Sequence, residues 1–311
     1  MNKREAVLRL LDKDGPQTYV PAAFFLHFDP QYHRGRAAID KHLAYFHYTG
    51  MDFVKIQYEH KFPRIPAIQR PADWNKMPFY GEDFFAGPLA VVKGIVEAAR
   101  SEALVLVTLY SPFMCAGHAA TSELLTRHLA EDPEAVKPGL EIVTESLMTF
   151  VKGCIELGVD GFYTSTQGGE AGRFADRTVF EQYIKPTDLA LMEEANRSCQ
   201  FNILHVCDYH LGYDDLTPFL DYPGQVVNCA LEVGGQPVDM AEISRLFGRP
   251  FMGGMDRHGV IAGNDKEAIV AEVQGLLDAA PARYMLGADC TIPSDTDWDN
   301  IRLAIDTAHG L

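Results

Sequence analysis

Phe201-Asn-Ile-Leu-His-Val-Cys-Asp208 is the stretch around which the chain organises itself. Phe201 to Val206 is a short apolar run of the kind that forms a buried strand, and it ends in His205-x-Cys207. Side chains two apart on a strand share a face, so an imidazole and a thiol stand side by side at the strand's end. Those are the nitrogen and sulfur donors that zinc favours. Taken alone, the pair reads more simply as a buried histidine and a packing cysteine. A third donor follows another apolar run, in Leu286-Gly-Ala-Asp-Cys290. The expectation is a zinc site built from His205, Cys207 and Cys290, with its remaining position open to a substrate.

Working outward, apolar runs predict strands at about 19–26, 51–57, 104–110, 158–165, 201–206, 225–230, 250–254 and 283–287. Helical signals cover 36–48, 87–101, 120–157 (broken at Asp132-Pro133), 177–198, 238–247, 265–279 and 297–308. A further N-terminal helix at 2–12 is ended by Lys13-Asp-Gly-Pro16. Eight apolar strands with helical segments between them predict an α/β fold, a (β/α)8 TIM barrel. An open doubly wound sheet would need its phosphate loop, and neither Gly-x-Gly-x-x-Gly after a strand nor a Walker sequence is present. With no internal repeat, one domain over 1–311 is expected. Residues 61–84, with four prolines and Trp74, predict a long lid-like excursion after the second strand.

Barrel geometry gives the polar residues a direction, because strand C-termini converge on one mouth. The cluster expected there comprises His27, Gln57, Glu59, His60, Tyr163, Gln167, His205, Cys207, Asp256 and Cys290. His27, Gln57, His60, Tyr163 and Gln167 are the substrate-lining candidates. Glu59 is a general base or fourth ligand, or else a surface turn residue. Asp256 follows Gly253-Gly254 and either contacts substrate or caps the helix before Val260. Asp208 and His210 read as exposed turn residues, with orientation of the ligand imidazole as the alternative. His33, Arg34 and Arg36 read as a solvated helix start rather than an anion clamp. The fifth and eighth strands are not neighbours, so Cys290 must lean over the axis to meet the other two ligands.

Composition narrows the partners. Lys and Arg total 27 against 43 Asp and Glu, a net charge of −16, which argues against nucleic acid or an anionic membrane as the main partner while leaving room for a local basic pocket. No apolar run approaches the roughly 20 residues of a membrane span. The N-terminus, Met-Asn-Lys-Arg-Glu, leads into an amphipathic helix without a signal peptide's apolar segment, so a cytoplasmic protein is expected. Six cysteines spread over the chain suit core positions or ligands better than disulfides. Cys115, Cys154, Cys199 and Cys229 are expected in the core or on helices.

Five pieces then resemble the uroporphyrinogen decarboxylase superfamily over most of the chain. They are Gly158-Val-Asp-Gly161, Asn202-Ile-Leu-His-Val-Cys207, Met252-Gly-Gly-Met-Asp256, Leu286-Gly-Ala-Asp-Cys-Thr-Ile-Pro293 and Trp298-Asp-Asn300. The resemblance implies one of two chemistries. The decarboxylases act without a cofactor on a tetrapyrrole bearing many carboxylates. They carry Arg-Gln-Ala-Gly-Arg-Tyr after the first strand, an Asp after the second and a late Gly-His-Gly. This chain has Asp29-Pro-Gln-Tyr-His-Arg-Gly-Arg36, Glu59 near the Asp, and Cys290 in the late histidine region. The methyltransferase branch binds zinc through a His-x-Cys pair and a later Cys, matched by His205, Cys207 and Cys290. Its methyl carrier is normally a corrinoid on a separate partner protein, although some members use other donors. A glycine usually follows the pair, where this chain has Asp208.

The resemblance therefore implies zinc-dependent methyl transfer from a corrinoid or other donor to a thiol, by a homodimer. The alternatives are a decarboxylase using Arg34, Arg36 and Glu59 on a carboxylated tetrapyrrole, and a non-catalytic tetrapyrrole- or corrinoid-binding protein.

Overall fold

Seven of the eight expected strands pair side by side and in parallel, in a computed structural model that describes residues 2–13 and 15–311. In chain order they are β1 (Phe53–Ile56), β2 (Leu104–Tyr110), β3 (Gly161–Thr166), β4 (Ile203–Val206) and β5 (Val226–Cys229). A two-stranded hairpin of β6 (Glu232–Val233) and β7 (Gln236–Pro237) interrupts the series before β8 (Phe251–Met255) and β9 (Tyr284–Ala288). The sheet runs β1-β2-β3-β4-β5-β8-β9. Its strands are buried along almost their whole length, as parallel strands covered on both faces must be.

The eighth stave forms differently from the rest. Residues 19–26 lie between β9 and β1, and among the described residues they make one isolated bridge, Ala22 with Leu286. Ala23 N–H donates to Leu286 O at 3.0 Å, Leu286 N–H to Pro21 O at 2.9 Å, and Asp52 N–H to Ala22 O at 3.0 Å. These bonds on both sides join the two edges of the sheet into a TIM-barrel-like ring. Pro21 has no N–H and so donates nothing to a ladder at the start of this segment.

Ten helices stand among the described residues: α1 (Lys3–Leu8), α2 (Gly35–Thr49), α3 (Glu82–Ala99), α4 (Pro112–Ala119), α5 (Ser122–Glu131), α6 (Pro133–Glu156), α7 (Lys185–Ser198), α8 (Met240–Phe247), α9 (Lys266–Asp278) and α10 (Trp298–His309). The N-terminal helix is shorter than expected: α1 gives way to a 3-10 turn at Arg9–Leu11. Asp14, within its expected stop, and Met1 lie outside the described residues. Helix α4 was not expected, although Ser111 caps it through Met114 N–H at 3.3 Å and Pro112 occupies its first turn. The helix expected from 87 begins at Glu82.

The excursion after β1 contains a 3-10 turn at Pro71–Lys76 and is anchored by Trp74, which is fully buried. Its indole N–H donates to His128 Nδ1 at 3.0 Å, and a Cβ added at Gly139 of α6 would sit 2.8 Å from Trp74 Cβ. Glycine is required at Gly161 for a similar reason, since a Cβ there would lie 1.6 Å from the carbonyl oxygen of Phe201. Among the described residues no helix is long and apolar enough to cross a membrane.

Candidate metal centre

His205 is the third residue of β4, and Cys207 continues that strand by one pairing, its N–H donating to Thr166 O at 3.1 Å. Cys290 lies two residues past the end of β9. Strand alternation puts His205 and Cys207 on the barrel's inner face. Ring closure brings Cys290 to them across the intervening β5 and β8. All three side chains are buried, with ligand atoms within 4.8 Å of one another. Cys290 Sγ is 3.4 Å from His205 Nε2. The amide of Gln167 donates to Cys207 Sγ at 3.4 Å, and the ring of Tyr163 stacks on His205 with centroids 5.0 Å apart.

The two thiols are electrostatically unequal. A hydrogen bond from Cys290, aided by the nearby imidazole, holds the Cys207 thiol well below its usual range, while Cys290 stays protonated well above it. His205 Nδ1 is buried without a hydrogen-bond partner among the described residues. Neither ring nitrogen is therefore committed to a backbone or carboxylate group. A buried N,S,S set with one thiol already favouring its thiolate fits zinc, and it leaves room for a further ligand.

Opposite this sulfur wall stands the end of β1. Lys55 is 6% exposed and donates to Gln57 Oε1 at 2.7 Å, with its ammonium 4.4 Å from the Phe25 ring centroid and 4.8 Å from that of Tyr163. Burial pushes its pKa down to about 7. Gln57 Nε2 donates to the Tyr110 hydroxyl at 3.0 Å. His27 Nδ1 meets Glu59 Oε1 at 2.8 Å. The backbone N–H of Gln57 donates to His42 Nε2 at 3.0 Å, which keeps that buried imidazole neutral on the side facing the strand. The two walls enclose a cavity of about 510 Å³, within the range of small-molecule sites.

His27, Gln57, Glu59, Tyr163 and Gln167 line this cavity together with the three ligand candidates. His60 does not. Lys55, Gln57 and Glu59 alternate inward, which turns His60 outward against Phe84, with centroids 4.2 Å apart. There it lines a smaller cavity of about 200 Å³ between β1, α2 and α3. Asp256 also stands away from the cavity. The strand β8 ends at Met255, so Asp256 opens an exposed turn and accepts the His258 N–H at 2.8 Å. Glu59 lies outside the three-residue ligand cluster.

Asp208 neither touches His205 nor stands free in solvent, because it pairs with Arg257. His210 is exposed, although it reaches the cavity rim. Arg36 pairs with Asp40 on the outer surface of α2, and Arg34 faces the smaller cavity. Cys115, Cys154 and Cys229 are buried, and Cys199 is half-buried.

Three participants were missed in the sequence. Lys55 and Tyr110 line the cavity. Asn228 accepts the Tyr163 hydroxyl at 2.5 Å and donates to Met252 O and Ala288 O, tying strand ends together. A signal existed for two of them, since a lysine inside Phe53-Val-Lys-Ile56 and an asparagine inside Val226-Val-Asn-Cys229 each interrupt an apolar run. Buried polar residues of that kind need partners.

Solved structures reproduce the architecture. A methyltransferase from Methanosarcina mazei superimposes with a TM-score of 0.75 at 14% identity, covering 99% of this chain and 98% of that one. A B12-independent methionine synthase from Shewanella sp. W3-18-1, in complex with selenomethionine, gives a TM-score of 0.53 at 12% identity, over 94% and 96% of the two chains. A beta-mannanase from the blue mussel Mytilus edulis gives 0.53 at 13% identity, also over 94% and 96%. A methyltransferase and a mannanase on one scaffold show that these likenesses establish the fold alone. No curated protein matches the chain significantly. The family described as Uroporphyrinogen decarboxylase (URO-D) does match, over residues 46–311. That match spans well over half the sequence: the chain belongs to the uroporphyrinogen decarboxylase family.

Proposed function

We propose that this protein is a zinc-dependent methyltransferase that passes a methyl group from a methylated carrier to a thiol. The observation that carries the reading is the convergence of His205, Cys207 and Cys290, from strands that are not neighbours, on one buried point facing a cavity. Zinc bound there would lower the pKa of an acceptor thiol, so that it reacts as the thiolate.

The chain's own residues supply the rest. Gln167 donates to Cys207 and stabilises its thiolate without neutralising it. Tyr163 covers one face of the His205 ring and shields it from water. On the far wall, His27 and Glu59 form a pair that can take and hold the acceptor thiol's proton. Lys55 and Gln57 offer a fixed donor set to a polar substrate group. A corrinoid carrier would have to be presented by a separate protein, since a cavity of about 510 Å³ does not enclose a corrin ring with its side chains.

The similarity to a Methanosarcina mazei methyltransferase agrees with this reading. Decarboxylation of a carboxylated tetrapyrrole has less support. Among the described residues no arginine lines the larger cavity, where a substrate of many carboxylates would need several.

Elemental analysis of the purified protein, followed by a methylcobalamin assay with small thiols, tests the proposal. About one zinc per chain and thiol-dependent loss of the methyl–cobalt absorbance, absent in Cys207→Ala, are expected. Failure to take up zinc on reconstitution, together with turnover of uroporphyrinogen, would replace this reading by the decarboxylase.

A further inference from the structure

Cys207 and Cys290 are carried on strand ends separated by β5 and β8, and one side chain links the residues beside them. Arg257 follows β8 by two positions. Its backbone N–H donates to Asp289 Oδ1 at 2.7 Å, and its guanidinium Nη1 donates both to Asp289 Oδ2 and, at 2.8 Å, to Asp208 Oδ1. Asp208 directly follows Cys207, and Asp289 directly precedes Cys290. The Arg257 side chain is 11% exposed and each aspartate side chain 16%, so the triad is shielded far more than an ordinary surface ion pair. Asp289 N–H donates to Met255 O at 3.0 Å, which docks the same loop onto the end of β8.

We propose that Arg257 is a positioning residue: by clamping the carboxylates of Asp208 and Asp289 it sets the separation of the Cys207 and Cys290 thiols, and with it the site's affinity for metal. The inference rests on reading the His205, Cys207 and Cys290 cluster as a metal centre. Without the guanidinium, two like-charged carboxylates face each other across the gap and drive the two cysteine-bearing loops apart. Arginine suits the task because its planar group holds several donors in fixed directions, whereas lysine offers one compact charge. The clamp also gives a role to Asp208, which stands where the family resemblance leads one to expect glycine. It is the second arm, and a glycine there would leave Arg257 tied to the β9 loop alone.

The test uses full-length protein stripped of metal with a chelator and titrated with Co2+, whose visible d–d bands report coordination geometry. Arg257→Met is expected to weaken Co2+ binding by about 10- to 100-fold, the usual effect of losing an outer partner of a metal ligand. Its d–d bands should also weaken and shift, with an unchanged far-UV circular dichroism spectrum. Arg257→Lys should recover part of both. Wild-type affinity and bands in Arg257→Met overturn the proposal, even if its melting temperature drops. Should Arg257→Met fail to fold, Asp208→Asn decides: roughly tenfold weaker binding supports the clamp and unchanged binding overturns it.

If the wild-type protein itself takes up no Co2+, the metal reading has failed, and the clamp is judged on phenylarsine oxide, which bridges two thiols held close together. Capture that requires Cys207 and slows about tenfold in Arg257→Met supports a set thiol spacing, by analogy with the loss expected for a ligand partner. Equal capture by both proteins overturns it.

Discussion

The sulfur wall at the ends of β4 and β9 and the facing wall at the end of β1 use the same device, alternate side chains at the end of a parallel strand, with opposite electrostatic results. On the sulfur wall, hydrogen bonds and a nearby imidazole outweigh burial for Cys207, and the thiol turns more acidic than usual. On the β1 wall nothing outweighs burial. Among the described residues no carboxylate lies within ion-pair distance of Lys55, and its amine turns much less basic. Residue type alone thus does not set charge in this cavity. The partners that the fold brings within hydrogen-bonding distance do.

The hardest break of this contrast removes the sulfur wall. Cys207→Ala or Cys290→Ala should take the metal content from about one per chain to almost none, because a two-ligand remnant binds weakly. The barrel should stay folded by circular dichroism. Stoichiometric metal in both variants would sink the ligand assignment.

On the other wall, Lys55→Met should stabilise the protein. The pKa of Lys55 drops from 10.5 to about 7, so between those pH values the unfolded chain holds a proton that the folded chain has released. Stability therefore rises with pH across that window, and the cost of burial is fully present below it. At pH 7 the variant should gain on the order of 4 kcal/mol, from about 1.4 kcal/mol per pKa unit, and the gain should vanish above pH 10.5. Methyl transfer should fall at the same time. Urea melts at pH 7 and pH 10.5 check this, and a destabilised variant would mean that the amine's contacts outweigh its burial.

Acid acts on the β1 wall through His42, whose burial depresses its pKa to about 4. Between pH 6.5 and 4 the unfolded chain binds a proton that the folded chain refuses, so stability falls as pH falls, by about 3 kcal/mol for this group. His118, also depressed by burial to about 4, acts in the same direction. A pH series of melts on His42→Asn should show a shallower acid slope, and an unchanged slope would clear His42 of the effect.

Smaller still, Gln57→Leu strips Lys55 and Tyr110 of a hydrogen-bond partner and should cost about 1–2 kcal/mol, measured by denaturant melts. The smallest effect belongs to Asp256→Ala, an exposed turn change expected within about 0.5 kcal/mol and without influence on metal content. A metal or activity loss there would restore Asp256 to the site.

The strand ends were legible because apolar runs, flanked by turn residues, mark them locally. That is how His205, Cys207, Gln57, Gln167 and Tyr163 could be assigned to one mouth. His60 shows where such reading stops. It follows Glu59 directly, and only the observed inward direction of Gln57 and Glu59 reveals that it must face the helices. Asp256 depended on where β8 ends, a one-residue question that apolar pattern does not settle. The run at 19–26 predicts a strand, and the structure instead closes the ring there through a single bridge at Ala22 and a few backbone hydrogen bonds. The start of α4 is written in Ser111-Pro112, a cap and a first-turn proline that an apolar-run pattern does not register.

Sequence by itself determined the chemistry available to this protein: which donors exist, which strand each one ends, and that zinc suits them. Tertiary structure decided which of them meet. Cys290 and His205 are 85 residues apart, and their 3.4 Å approach depends on closing the ring through residues 19–26, together with the Arg257 clamp between two loops. Local periodicity carries direction along a strand but no distance across a barrel. The hydrogen bonds that acidify Cys207 and the burial that makes Lys55 less basic exist only once the chain has closed around them.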